Sequence, residues 1–202
     1  MSAPAPWPPA VTLRNARATL EPLEQRHCAA LTEAVRDGEL WTLWYTNVPT
    51  AEGMAAEIDR RLALRRAGNM LPFAVIDNET GRAVGMTTYM DIDAEARRVE
   101  IGSTWYRKSV QRSSLNTSCK LLLLTHAFEA LDCIAVEFRT HFFNRASRRG
   151  IERLGAKLDG ILRSHKISKN GTLRDTVVYS IVAAEWPTVK ANLIWQLERP
   201  RQ

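Results

Sequence analysis

The sequence lacks a long hydrophobic run, and its longest apolar stretches, such as Leu121–Leu124, are far shorter than the roughly 20 residues that cross a bilayer. It also lacks a secretory signal, because its first ten residues are rich in Pro and Ala and hold no basic cluster followed by an apolar core. We therefore expect a cytoplasmic protein that does not bind membranes, with a disordered leader over residues 1–10 and a single domain over residues 11–202.

Cysteine is scarce, and its three copies are an odd number without metal-ligand spacing, so neither a disulfide framework nor a metal site is expected. Each lies in an apolar context, which favours buried free thiols in a reducing compartment; they are Cys28, Cys119 and Cys133. The rest of the composition, 45% hydrophobic and 25% charged over 202 residues, is ordinary for one globular domain.

Acidic charge is in the minority, and the formal net charge of +6 favours anionic partners such as nucleic acid, acidic proteins or a phosphorylated cofactor. Nucleic acid is the least favoured of these, because the chain has no recognisable nucleic-acid module and no stacking aromatic platform among its basic residues. Basic side chains gather in one loop and in one short helix; they are Arg107, Lys108 and Arg112, and Arg145, Arg148, Arg149 and Arg153.

Hydrophobic periodicity and turn residues predict a mixed α/β domain with one crossover unit in its middle. The predicted strands are Val11–Leu20, Leu71–Ile76, Ala83–Met90, Val99–Tyr106, Ile134–Thr140, Lys157–Ile167 and Leu173–Ala183. The predicted helices are Leu23–Val35, Glu52–Gly68, Ser114–Leu131, Asn144–Leu154 and a C-terminal helix that opens at Pro187. The last two strands flank Asn170-Gly171 and form a hairpin.

The segment from Val99 to Leu131 carries the most information about function, since a polar loop feeds a helix there. The first turn of a helix presents unpaired backbone N–H groups and the positive end of the helix dipole, which together bind phosphate. An ordinary solvated helix start is the alternative, because Ser113-Ser114 before an apolar run is a common cap. The basic helix start at Asn144 favours the anion site, since a crossover places both helix starts at one sheet edge.

The order of these elements, together with the segments Gln111–Asn116 and Asn144–Ala156, resembles the GNAT N-acetyltransferases over residues 11 to about 184. The closest resemblance is to the RimJ/RimL branch. In that branch the second segment reads Asn-x-x-Ser-x-x followed by Glu-Lys-Leu-Gly-Phe; here it reads Asn-Arg-Ala-Ser-Arg-Arg followed by Glu-Arg-Leu-Gly-Ala.

The first segment departs from the family pattern. In the family, Gln/Arg-x-x-Gly-x-Gly/Ala binds the pyrophosphate of coenzyme A through backbone amides. Gln111 matches this pattern, whereas Ser114 and Asn116 stand where the two small residues belong. Glycine lets the backbone approach a phosphate closely, so we expect weakened but retained binding.

The resemblance implies a GNAT-like three-layer α/β fold with a mostly antiparallel seven-stranded sheet and helices on both faces. It also implies a splayed parallel pair, Val99–Tyr106 and Ile134–Thr140, that binds acetyl-CoA, with room left by Gly102. The implied activity is acetyl transfer to a primary amine of a protein N-terminus or a small molecule, by a monomer or homodimer. The implied cofactor-binding residues are Trp105, Tyr106, Arg107, Gln111, Arg112, Ser113, Ser114, Leu115, Asn116 and Asn144.

Acetyl transfer needs a neutral amine, a stabilised oxyanion and a proton for the departing thiolate. The resemblance makes Glu100, at the start of the cofactor strand, the candidate base; an ion pair with Arg97 or Arg98 is its structural alternative, and Glu137 is a weaker candidate. Many family members have a tyrosine seven residues after the asparagine that acts as general acid and protonates coenzyme A; Ile151 occupies that position here.

Ser147 is the candidate acid in place of that tyrosine, unless its hydroxyl only bonds its own helix turn. His141 and His165 are further candidates for proton transfer, although strand-end histidines are more often surface or packing residues. The acceptor site has candidate walls in four aromatic residues that would otherwise pack in the core: Trp41, Trp44, Tyr45 and Tyr89.

Two functions remain open from the sequence besides the disfavoured nucleic-acid binding. The first is an active N-acetyltransferase. The second is a catalytically weak or inactive module that binds coenzyme A, and it is motivated by the altered loop and by Ile151.

Overall fold

The computed structural model describes residues 7–199. Within this range, eight strands form one sheet in the order β1-β2-β3-β4-β5-β6-β8-β7, so the sheet has one strand more than the seven predicted. The strands are β1 Leu13–Arg14, β2 Ala18–Pro22, β3 Met70–Asp77, β4 Arg82–Asp93, β5 Arg98–Tyr106, β6 Ala135–His141, β7 Lys157–Ile167 and β8 Leu173–Val182.

Helices cover both faces of the sheet, as predicted. They are α1 Cys28–Arg36, α2 Met54–Arg66, α3 Leu115–Thr125, α4 Arg145–Arg153 and α5 Trp186–Glu198. One apolar core joins α3, α4 and α5 to the sheet, and a second joins α1 and α2 to it. The stretch predicted as one helix to Leu131 changes after α3 into a wider π-turn, His126–Ala130.

The extra strand arises from a turn inside the segment predicted as a single strand, Val11–Leu20. The Asn15 side-chain oxygen accepts from the backbone N–H groups of Arg17 and Ala18, both at 2.9 Å. These bonds reverse the chain, so that β1 and β2 pair antiparallel with each other. Alternation of apolar residues continues through such a tight turn, which is why periodicity alone predicts one strand.

The predicted leader falls partly outside the described residues, which exclude 1–6. Within it, Trp7 packs against the core on the α3 side of the sheet and Pro8 is buried. Over residues 7–199, no helix is long and apolar enough to cross a membrane.

Strands β5 and β6 are the parallel pair of the sheet, as the crossover through α3 predicts, and all other neighbours run antiparallel. Their pairing covers only residues 98–100 of β5 and 135–137 of β6. Strand β5 continues to Tyr106 and β6 to His141 without pairing to each other, so the two strands separate. The predicted gap between them is confirmed.

Candidate active site

The gap between β5 and β6 opens into a cavity of about 280 Å³ that both strands line. Glu100 and Trp105 reach it from β5, and Arg139 and His141 reach it from β6. The start of α4 and the β7–β8 hairpin complete the wall, with Asn144, Ser147, His165, Lys166 and Arg174 among their lining residues. Both predicted catalytic residues, Glu100 and Ser147, therefore lie in one cavity.

Glu100 is 5% exposed and lies where the two strands part. Burial, and next the carboxyl group of Asp91 beside it, raise the pKa of Glu100 to about 8, although the Arg139 guanidinium at 3.6 Å acts in the opposite direction. A carboxyl group with that pKa exchanges a proton near neutral pH, as a general base in this role must.

Gly102 leaves room for the Glu100 carboxyl group itself. A Cβ atom at Gly102 would lie 2.7 Å from Glu100 Oε1 and 2.7 Å from Met90 Sδ. The space that the sequence assigns to the arm of the cofactor is thus occupied on this face by the side chains of Glu100 and Met90. Any larger residue at 102 would displace the carboxyl group from the gap.

Glu137 is the in-register partner of Glu100 across the parallel pair, yet its environment is the opposite one. Arg98 donates to Glu137 at 2.5 Å and Arg139 at 2.8 Å, and these arginines lower its pKa against the opposing effect of burial. The expected alternative for Glu100, an ion pair with Arg97 or Arg98, is wrong in its partner, because Arg98 binds Glu137 and the arginine next to Glu100 is Arg139.

The start of α4 is organised by Asn144, whose side-chain oxygen accepts from the backbone N–H of Ser147 at 3.1 Å. This cap uses the amide of Ser147 and leaves its hydroxyl group available on the cavity wall. Ile151, at the position of the missing tyrosine, is buried in the core.

His141 is 3% exposed, and its Nδ1 accepts from the backbone N–H of Phe143 at 3.1 Å. Burial lowers the pKa of His141, so the ring is neutral and carries its proton on Nε2. That Nε2 atom is buried and has no hydrogen-bond partner among residues 7–199. His141 thus lines the cavity with a ring whose N–H is buried and unpartnered, an arrangement that its place at a strand end did not predict.

The loop before α3 is held by its own side chains. Gln111 Nε2 donates to the carbonyl oxygen of Tyr106 at 2.9 Å, and Ser113 Oγ donates to that of Val110 at 2.6 Å. Ser113 Oγ also accepts from the backbone N–H of Leu115 at 3.2 Å. A loop fixed in this way can present its remaining donors to a phosphate without first becoming ordered.

The backbone of this loop does not require glycine at the first position where the family pattern has one. Ser114 has φ −74° and ψ −8°, a conformation open to any residue, and its side chain makes no capping bond. The left-handed residue of the loop is Arg112, with φ +59°. The Arg107 guanidinium donates instead to the carboxylate of Asp37 at the end of α1, at 2.9 Å.

A second cavity of about 640 Å³ shares residues with the first and extends it outward. Trp44 and Tyr45, two of the candidate acceptor walls, line it, and the Trp44 ring contacts the His141 ring edge-on at 4.9 Å between centroids. Trp41 instead packs against the α1–α2 core. The interpretation of Tyr89 as an acceptor wall is wrong, because Tyr89 is fully buried and donates to the carbonyl oxygen of Leu123 in α3.

Some lining residues were missed from the sequence, chiefly Arg139, Lys166 and Arg174. They lie on β6, β7 and β8, and only strand order and register bring them to Glu100. In the described part of the chain, no group of three or more His, Cys, Asp or Glu side chains is placed to hold a metal ion.

Comparison with known proteins agrees with this geometry. A family model described as an acetyltransferase (GNAT) domain matches residues 17–157. A solved structure of a GCN5-related N-acetyltransferase from Brucella melitensis is 30% identical, with a TM-score of 0.83 over 96% of this chain and 89% of that one. Mycobacterium smegmatis RimJ, solved in complex with CoA-disulfide, shares the fold at 21% identity, with a TM-score of 0.78 over 93% of this chain and 95% of that one.

A curated relative is the Bacillus subtilis (strain 168) protein named "Putative ribosomal N-acetyltransferase YdaF". It is 32% identical over 106 residues, which are 52% of this chain. The match spans 57% of the length of that protein.

Proposed function

The chain belongs to the GNAT acetyltransferase family, and from that premise we propose that it transfers an acetyl group from acetyl-CoA to a primary amine in a ternary complex. The observation that carries the proposal is the open gap between β5 and β6, with the buried carboxyl group of Glu100 where the strands part. The acceptor amine belongs to a protein N-terminus or a small molecule.

The residues around the gap fit coenzyme A. Beyond Glu100, β5 has no strand partner on its β6 side, so its backbone amides are available to bond the amides of the pantetheine arm as a further strand would. The start of α3, with Gln111–Asn116, would hold the pyrophosphate through backbone N–H groups and the helix dipole. Acetyl-CoA supplies the activated acetyl group.

Glu100 acts in this proposal as the general base, directly or through a water molecule. Its pKa of about 8 lets it accept a proton from an ammonium group and leaves the amine neutral for attack. The Ser147 hydroxyl, on the opposite wall, supplies the proton for the departing thiolate.

A module that binds coenzyme A without catalysis is the second candidate. The position of Ile151 favours it, because a buried aliphatic side chain stands where many relatives hold an acidic tyrosine. The ionisable group of Glu100 in the gap favours the enzyme, since a binding module gains nothing from burying it.

Free-thiol release from acetyl-CoA, screened over amines and peptides, tests the proposal. Wild type should release thiol only when an acceptor is present, and Glu100→Gln should lower kcat by at least about 10²-fold with acetyl-CoA affinity nearly unchanged. A rise in melting temperature with acetyl-CoA but no thiol release with any amine would favour the binding module. A Glu100→Gln kcat within about threefold of wild type would leave positioning alone as the source of catalysis.

A further inference from the structure

We call the cavity of about 280 Å³ beside Glu100 the inner cavity and the second cavity, of about 640 Å³, the outer cavity. The outer cavity has a strongly cationic side that the proposed chemistry does not use. Lys166, Lys169 and Arg174 line it from the β7–β8 hairpin, and none of them forms an ion pair with a described carboxylate. On the facing wall, Arg60 and Arg61 share the single carboxylate of Glu57.

Two of these cations lie directly opposite each other. Lys166 of β7 is the register partner of Arg174 of β8, and both line both cavities. Like charges on opposed strand positions destabilise a sheet, and Arg174 is in addition half-buried, which lowers its pKa. An anion bound between the two side chains would relieve this repulsion.

Other cationic side chains of the same hairpin form ion pairs with carboxylates. Arg163 donates to Asp175 at 2.7 Å, and Lys157 lies 2.5 Å from Glu185. Neither of these paired cations lines the two cavities. Unpaired positive charge on this hairpin is therefore concentrated where the proposed acceptor enters.

The spacing of the cations favours an extended ligand. Lys166 and Arg174 lie beside the inner cavity of Glu100, whereas Lys169 lies in the turn at the tip of the hairpin. A ligand that contacts Lys166 and Arg174 as well as Lys169 therefore extends from the inner cavity toward the tip of the hairpin, which favours a chain of several residues over a small molecule. Ile167, which is 74% exposed, offers an apolar contact along the same cavity.

We propose that the acceptor is the N-terminus of a peptide segment whose residues after the reactive amine carry carboxylate groups. The amine lies at Glu100, and the carboxylates bind Lys166 and Arg174, and further out Lys169. Polyamines and aminoglycosides are disfavoured because their positive charges would meet these cations. This inference rests on the proposed function and names its substrate class.

Three peptides of equal length and identical first residue test it, with acidic, amide or basic side chains at the following positions. The acidic peptide should give the highest kcat/KM in the thiol-release assay, and added salt should reduce its advantage. Free glutamate serves as a small dicarboxylate amine. Glutamate turned over as well as the acidic peptide would overturn the peptide assignment, and equal rates with all three peptides would overturn the charge preference.

Charge-reversal variants test which cationic residues bind the carboxylates of the peptide. Lys166→Glu or Arg174→Glu should lower kcat/KM for the acidic peptide about tenfold or more and raise it for the basic one. Lys157→Glu, on the same strand but away from the cavities, should leave both values unchanged. Lys166→Gln, which adds no new charge, should show a smaller loss, and melting temperatures report whether each variant folds.

Two outcomes separate the two proposals. If charge reversal at Lys166 and Arg174 does not change the order of the peptides, the substrate class is wrong while acetyl transfer stands. If no amine at all supports thiol release, the proposed function fails and this inference fails with it.

Discussion

At the scale of single residues, Glu100 and Glu137 show how neighbouring carboxyl groups acquire different properties. They are paired in register across the parallel strands, but two arginines bind Glu137 while burial and Asp91 dominate at Glu100. Their pKa values therefore move in opposite directions from a common starting value. Separated values of this kind identify the group that can exchange a proton near neutral pH.

The raised pKa of Glu100 has a consequence for stability. Between pH 4.5 and about 8 the folded protein retains a proton on Glu100 that the unfolded chain releases. The contribution of Glu100 to the free energy of unfolding therefore decreases as pH rises through that window. Glu100→Gln removes this pH-dependent loss of stability, because glutamine has no proton to release in this range. We expect its melting temperature to exceed that of wild type near pH 8 and the difference to shrink toward pH 4.5, as measured by thermal unfolding across that range.

Glu137→Gln is the matched control for this measurement. Its carboxylate is stabilised by Arg98 and Arg139, and its pKa is lowered, so loss of the charge should lower the melting temperature near neutral pH. If Glu100→Gln is destabilised at pH 8 in the same way, the buried carboxyl group is ionised and paired, and its assignment as the base loses its physical support.

Glu100, Ser147 and Asn144 could be named from the sequence because the family resemblance assigns roles to the element boundaries at which they lie. Their neighbours could not. Asp91 lies on β4 and Arg139 on β6, and both reach Glu100 through cross-strand register, which no local pattern encodes. The same limit applies to His141, whose tautomer depends on a hydrogen bond that its Nδ1 accepts from the backbone N–H of Phe143.

At the scale of elements, the loop and first turn of α3 form the proposed anion site. Arg112→Glu should weaken acetyl-CoA binding about tenfold or more, because it places an anion beside the phosphates. Isothermal titration with acetyl-CoA measures the effect. Lys190→Glu on α5 is the control, since Lys190 pairs with Glu129 at 2.7 Å on another part of the surface. An equal loss in that variant would show general charge attraction instead of a site.

Element boundaries were predictable where the sequence marks them with turn residues. The β7–β8 hairpin turns at Asn170-Gly171, and Gly171 has φ +80°. The end of α4 is likewise marked by Gly155, with φ +100°. The split of the first strand was missed because its turn depends on side-chain bonds of Asn15.

At the scale of the whole molecule, the proposed function rests on one interruption in an otherwise continuous sheet. The crossover through α3 makes β5 and β6 parallel, and their ladder ends after three residue pairs. This topology could be predicted from the order of elements. The positive charge on the outer cavity could not, since it comes from the β7–β8 hairpin, which lies far from β5 in the sequence and reaches the cavity through the order of strands in the sheet.

The cleft also bears on whether the acetyl group is first transferred to the protein. Neither cavity has a cysteine among its lining residues. Burial raises the pKa of Cys119 to about 12 and that of Cys133 to about 11, so neither thiol is a reactive thiolate near neutral pH. We therefore expect the acetyl group to pass directly between two ligands held in one cleft.

Mass spectrometry of the intact protein and of the acceptor, after mixing with acetyl-CoA alone and with acetyl-CoA plus an acidic peptide, tests this central claim most directly. We predict an acetylated peptide when both ligands are present and an unmodified protein when acetyl-CoA is added alone. A protein that becomes acetylated by acetyl-CoA alone and then passes the group to a peptide added after acetyl-CoA is removed would contradict direct transfer in a ternary complex.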